Sequence, residues 1–121
     1  MRAHNELATA HHVQQDEPDG RRLAAAVEVL GHLADATRLH LLQLLAVEQD
    51  VSTLAAQVKA SRSSVSQHLS RLRLAGLVQA RREGRRMIYR ITSDHLTALV
   101  ADVLDYADHT VRDIPHHQAT P

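Results

Sequence analysis

The chain has no cysteine, no tryptophan and no phenylalanine among its 121 residues, and tyrosine occurs only at Tyr89 and Tyr106. Without cysteine there is no disulfide framework, no thiolate metal centre and no cysteine nucleophile. The shortage of rings makes the core aliphatic and argues against the stacking platforms on which single-strand binders lay their bases. No apolar run approaches the roughly 20 residues of a membrane span, and the N-terminus lacks the hydrophobic segment of a secretory signal, so the sequence predicts a cytoplasmic protein. The set of enzyme motifs is equally bare: no HExxH, no glycine-rich phosphate loop and no Ser/His/Asp set appears. A metal-dependent hydrolase is the enzyme reading against which a non-enzymatic one is weighed, and the sequence favours the latter.

Net charge is also missing, because 14 basic residues balance 14 acidic ones. That balance hides a division. Between positions 59 and 90 stand nine basic residues (Lys59, Arg62, Arg71, Arg73, Arg81, Arg82, Arg85, Arg86, Arg90) and one acid, Glu83, giving +8. The other 5 basic and 13 acidic residues leave −8. A polyanion suits the first part and a cation the second. What is abundant is histidine: ten, at 4, 11, 12, 32, 40, 68, 95, 109, 116 and 117, mostly outside the basic segment.

The length suits one domain. Residues 1–20 are polar, contain EPDG and have no sustained periodicity, which predicts a mobile arm. From Arg22 onward Leu23, Ala26, Val27, Leu30 and Leu33 recur at helical spacing. Residues 37–46 carry Leu39, Leu41, Leu42, Leu44 and Leu45, too many apolar positions for a surface helix, so a central helix is expected, and His32 and His40 on these two helices read as structural. Asp50 or Ser52 starts a short helix with Val51, Leu54, Ala55 and Val58 on one face. Ser61 caps another running to about Ala75, with Gly76 as its stop. Two short helices joined tightly read as a helix-turn-helix. Residues 77–81 and 87–91 are β-prone runs around Glu83-Gly84, a hairpin that must dock on the helices. A last helix is expected over 94–110, then a histidine-containing tail over 111–121. The chain thus divides into an arm (1–20), a helix-turn-helix domain (21–110) and the tail.

On a helical wheel Val65, Leu69 and Leu72 form one stripe. The opposite side presents Ser63, Gln67, Ser70 and Arg71, with Arg62 in the first turn. A glutamine amide pairs bidentately with adenine, and arginine suits phosphate or guanine. A solvated helix face would look similar. The hairpin shifts the balance, because Arg81, Arg82, Arg85 and Arg86 within six residues repel one another unless an anion lies against them, and phosphates or a narrow minor groove supply one. The reading is a helix-turn-helix with an arginine wing on double-stranded DNA; a non-specific architectural DNA protein is its rival.

The last helix carries a heptad-like stripe of Leu96, Leu99, Val100, Val103, Leu104 and Ala107 that needs a partner surface. On one edge lie His95, Asp102, Tyr106 and His109. His95 and His109 are about 21 Å apart along the axis at 1.5 Å per residue and cannot share a metal within one helix. Antiparallel pairing of two such helices across a dimer axis brings His95 of one protomer to His109 of the other. Imidazole and carboxylate donors suit Ni(II), Co(II), Cu(II) or Zn(II) over magnesium or calcium. His4, His11 and His12 on the arm are weaker additional candidates.

LADATRLHLLQLL (33–45), LAAQVKASRSSVSQHLSRLRLAGLV (54–78) and MIYRI (87–91) together resemble the ArsR/SmtB family of winged-helix metal-sensing repressors, and the likeness extends over residues 22–117. The resemblance implies a mainly α fold with a small β-hairpin: a winged helix-turn-helix of four helices, a hairpin and a fifth helix. It also implies a homodimer through the first and last helices on an imperfect inverted repeat. It places Ser64, Ser66, Gln67 and His68 in the recognition segment. Zinc-type members carry ligands where this chain has Ser93 and His95, then Tyr106 and His109. With two of those four positions changed, the sequence is more similar to the nickel/cobalt sensors of the family, through DHL at the helix start, Asp108-His109 near its end and the IPHH tail. That likeness implies His95, Asp108, His109, His116 and His117 as ligands of Ni(II) or Co(II), with Zn(II) an alternative. The family's cysteine-based site is excluded by composition. A metal-independent regulator, or one needing a further protein partner, would share most of these features, and the residues leave open whether metal releases or promotes DNA binding.

Overall fold

The EPDG segment opens a helix. In this computed structural model, which describes residues 17–119 and side chains as far as 112, helix α1 spans Pro18–Leu33. Pro18 stands at the helix start, where its missing N–H has no intrahelical acceptor to disappoint. Asp19 lies in the first turn, where a carboxylate complements the helix dipole, and the Glu17 carbonyl accepts from the Arg21 amide at 2.8 Å. Proline followed by a small acid signals a helix N-terminus as well as a turn, hence the early start. The arm expected over residues 1–20 otherwise lies outside the described residues. Leu23, Val27 and Leu30, one stripe of α1, are 56%, 60% and 50% exposed.

The chain divides into two compact units, Met1–Asp35 and Ala36–Pro121. The second opens with α2 (Ala36–Leu44), the expected central helix: Leu41, Leu42 and the following Leu45 are buried, and Leu39 and Leu44 half-buried. Strand β1, Gln49–Asp50, follows and was not expected. Asp50 then caps α3 (Val51–Val58), its Oδ1 accepting from the Thr53 amide at 2.8 Å. Lys59 ends α3 in the left-handed region at φ 56°. Ser61 caps α4 (Arg62–Leu74), its Oγ accepting from the Ser64 amide at 3.0 Å. Val65, Leu69 and Leu72 are fully buried, as the wheel requires. Gly76, at φ 82°, turns the chain out of α4, and Leu77 N–H returns to the Leu72 carbonyl at 2.9 Å.

The wing is β2 (Val78–Glu83) and β3 (Arg86–Ile91), antiparallel, with Val78 opposite Ile91 and Glu83 opposite Arg86. Its turn is Gly84-Arg85, one residue beyond the expected centre; Gly84 at φ 65° supplies the positive angle that a two-residue loop needs at its first position. Strand β1 adds to the β3 edge, Gln49 opposite Tyr89 and Asp50 opposite Ile88, so the sheet order is β1-β3-β2. Helix α5 begins at Asp94 and its early turns bury Leu96 and Val100. It ends at Ala119 rather than near Thr110 and runs through Pro115, whose missing N–H costs the helix one backbone hydrogen bond.

The core is aliphatic apart from Tyr89, and no polar or charged side chain is buried among the described residues. Among those residues no helix is long and apolar enough to cross a membrane.

Candidate nucleic-acid interface and the last-helix histidines

Burying Val65, Leu69 and Leu72 turns the other side of α4 outward. Arg62, Ser63, Gln67, Ser70 and Arg71 are exposed, while Ser64, Ser66 and His68 sit half-buried at the flanks. The five residues picked from the wheel therefore form the open face, and the three added by resemblance border it. Among the described residues Arg62 and Arg71 have no carboxylate within ion-pair distance. The face offers hydroxyls, one amide and unpaired guanidinium groups, with the exposed Leu74 side chain at its C-terminal end.

The four arginines of the wing do not behave alike. Arg81 pairs with Glu48 at 2.9 Å and with Glu83 at 3.1 Å, and Arg86 Nε donates to Asp50 Oδ2 at 2.9 Å. Arg82 and Arg85 are exposed without an ion pair among the described residues. Strand alternation explains the split. Arg81 lies opposite Ile88, as does Asp50 from the other side, so Arg81, Arg86 and Asp50 share one sheet face. Arg82 lies opposite Met87 on the other face, and Arg85 is in the turn. Electrostatics agree. The Arg81 guanidinium holds the Glu48 carboxyl below its usual range, and the Arg81 value is raised in turn by its bonds to Glu48 and Glu83. Thr53, through its side chain and its amide, and then Arg86 hold Asp50 down at about 2. The mutual repulsion expected among the four is thus half relieved within the chain, through Glu48 and Asp50. Glu48 was not singled out from the sequence and Asp50 only as a helix start; the signal that finds their pairing with the wing is the odd-even alternation of Arg81 and Arg82.

On α5, His95, Asp102, Tyr106 and His109 are all exposed. His95 lies in the first turn, where its amide donates to Ser93 Oγ at 3.1 Å. Asp108 is engaged elsewhere, accepting from Arg112 Nε at 2.9 and 3.0 Å. His116 and His117 fall within the helix, but their side chains lie outside the described residues, as do His4, His11 and His12 altogether. His32 is half-buried and His40, expected to be structural, is exposed. No group of three His, Cys, Asp or Glu side chains converges among the described residues. The donors suit a borderline divalent metal, but a single copy does not gather them. The apolar stripe of α5 splits likewise: Leu96 and Val100 are buried, whereas Val103 is 37% and Val111 66% exposed, with Tyr106 beside them at 75%.

The profile of the family described as "Bacterial regulatory protein, arsR family" matches residues 35–80, from the start of α2 into β2. The chain is 45% identical over 104 residues to the HTH-type transcriptional regulator KmtR of Mycobacterium tuberculosis, covering 84% of this chain and 79% of that protein. It is 36% identical over 104 residues to the transcriptional repressor SmtB homolog of Synechocystis, covering 83% and 79%. Among solved structures it is similar to the homodimeric winged helix-turn-helix DNA-binding domain of a possible ArsR-family regulator from Mycobacterium bovis, with TM-score 0.72 and 34% identity over 80% of this chain and 91% of that one.

Proposed function

This chain belongs to the ArsR family of bacterial regulatory proteins, which are transcriptional regulators and not enzymes, and from that premise we propose that it is a homodimeric repressor whose affinity for operator DNA responds to Ni(II) or Co(II). The observation that carries the DNA reading is the open face of α4, Ser63, Gln67, Ser70 and Arg71, standing with the unpaired Arg82 and Arg85 of the wing. The helix supplies base contacts and the wing phosphate contacts. Two copies place two such faces about 34 Å apart, one turn of DNA, on an imperfect inverted repeat.

The dimer is supported by apolar side chains left facing solvent, Leu23, Val27 and Leu30 on α1 and Val103 and Val111 on α5, and by the homodimeric relative. With α5 helices antiparallel, His95 of each protomer meets His109 of the other; His116 and His117, two turns further along the same helix, join only if its end unwinds, and Asp108 only after leaving Arg112. His95 and His109 would hold the metal between the subunits, and its binding there would favour one relative orientation of the protomers. A coupling of about 1–3 kcal/mol gives roughly 5- to 150-fold regulation. The choice of nickel or cobalt rests on Ser93 and Tyr106 standing where a zinc-type site has ligands, and on the DHL, Asp108-His109 and IPHH likenesses. A zinc-responsive or metal-independent regulator is the second reading, favoured by the absence of a three-donor group among the described residues of one copy.

The test is to select tight sites from random duplex DNA and titrate the best with Ni(II), Co(II) and Zn(II), reading binding by fluorescence anisotropy. A change of 5-fold or more with Ni(II) or Co(II), exceeding that with Zn(II), is expected. A response to Zn(II) alone overturns the metal assignment, and equal affinity for selected and random duplex at about 150 mM salt overturns the operator reading.

A further inference from the structure

We infer that Asp50 and Glu48 form a clamp that fixes the wing against the helix-turn-helix, dividing the wing arginines into two that position the hairpin, Arg81 and Arg86, and two that meet DNA, Arg82 and Arg85. The inference rests on the DNA-binding reading above and deepens it. The two oxygens of Asp50 serve different elements: Oδ1 accepts from the Thr53 amide at the start of α3 and Oδ2 from Arg86 at 2.9 Å. One side chain therefore ties the first helix of the helix-turn-helix to the hairpin tip.

The hairpin needs such a tie. Strand β1 supports β3 only at Tyr89 and Ile88, so beyond Ile88 the tip has no third strand. Arg86 lies two residues past Ile88 on the face of Asp50, a diagonal that a long side chain spans. Arg81, directly opposite Ile88, reaches Glu48, the residue just before β1. The Asp50 carboxylate is only 15% exposed, whereas Arg81 and Glu48 are 48% and 44% exposed. Pairs as open as the second add little to stability, and geometry is what they supply. Arg82 and Arg85 take no part, and their charge is left for phosphate.

The sign of one substitution separates this arrangement from plain electrostatics. Asp50→Asn removes a negative charge from a DNA-binding surface, and charge alone then gives tighter binding. Asparagine still caps α3, so the helix is kept while the Arg86 pair is lost. Under the clamp, Asp50→Asn weakens binding to the selected duplex about 5-fold, Arg86→Gln does the same, and the double variant loses no more than either, the signature of one shared interaction. Arg82→Gln and Arg85→Gln each lower the slope of log affinity against log salt by about 0.9 per protomer, the value of one phosphate contact, while Arg86→Gln leaves it unchanged. In the free protein, heteronuclear NOE values for residues 82–87 fall in Asp50→Asn.

Tighter binding by Asp50→Asn, additive losses in the double variant, or a slope change for Arg86→Gln equal to that for Arg82→Gln overturns the clamp. A wild-type protein that binds no duplex overturns the functional reading instead, and the NOE arm still decides the clamp: unchanged values for residues 82–87 refute it.

Discussion

At Lys59 the backbone is held at φ 56°, ψ 47°, the only positive φ outside glycine among the described residues. An L-residue there brings its Cβ against the following carbonyl oxygen, and glycine does not. Lys59→Gly is expected to stabilise the fold by about 0.5–1 kcal/mol, the left-handed strain outweighing the added freedom of the unfolded chain. A urea denaturation series should show a higher midpoint at unchanged m-value; a lower midpoint contradicts the assignment of strain. Asp50 makes a pH prediction. Its carboxyl falls from 3.8 to about 2 on folding, so its stabilisation is present above pH 3.8 and is lost as pH drops toward 2, when protonation frees Arg86 and weakens the α3 cap. Melting temperature should decline less steeply between pH 4 and 2 in Asp50→Asn than in the wild type. Parallel declines mean that Asp50 does not titrate as the structure requires.

At the scale of elements, the proposed function puts sequence specificity on α4. Gln67→Ala should cost about 1–3 kcal/mol on the selected duplex and little on random duplex, because a bidentate amide contact reads a base and not the backbone. An equal loss on both demotes Gln67 to a phosphate contact. This helix was fully legible in the sequence: Ser61 starts it, Val65, Leu69 and Leu72 define its inner side, and Gly76 ends it. Strand β1 was not, for two residues display no alternation, and Gln49-Asp50 becomes a strand only by pairing with Tyr89 and Ile88, about 40 residues away. The wing was legible as a hairpin but not as two classes of arginine, since the division depends on acids contributed from β1 and the loop before it. At α5 the position of His95 and His109 on an exposed edge was legible, while its end was not, because a proline signal near a helix terminus does not separate a kink from a stop.

For the whole molecule, the proposed function makes the +8 segment and α5, which is part of the −8 remainder, two ends of one device. The basic end is open α4 and the tip of the wing, with part of its charge already met by Glu48 and Asp50. The other end is α5, whose described donors cannot converge within one copy. In the proposed dimer a second subunit completes both. Leu23→Ser with Val27→Ser, which removes side chains 56% and 60% exposed in one copy, should shift sedimentation from dimer to monomer and weaken operator binding in proportion; a dimer that persists unchanged places the interface elsewhere.

The most direct measurement mixes subunits. In a His95→Ala homodimer and in a His109→Ala homodimer every proposed site lacks one ligand, whereas a heterodimer of the two variants keeps one site intact, His95 from one subunit and His109 from the other. Operator anisotropy with and without Ni(II) or Co(II) should show no metal response for either variant alone and a restored, partial response after denaturing and refolding the two together. If the refolded mixture stays unresponsive while the wild type responds after the same treatment, the last helices do not share metal across the dimer and the histidines are not the input to the DNA-binding surface.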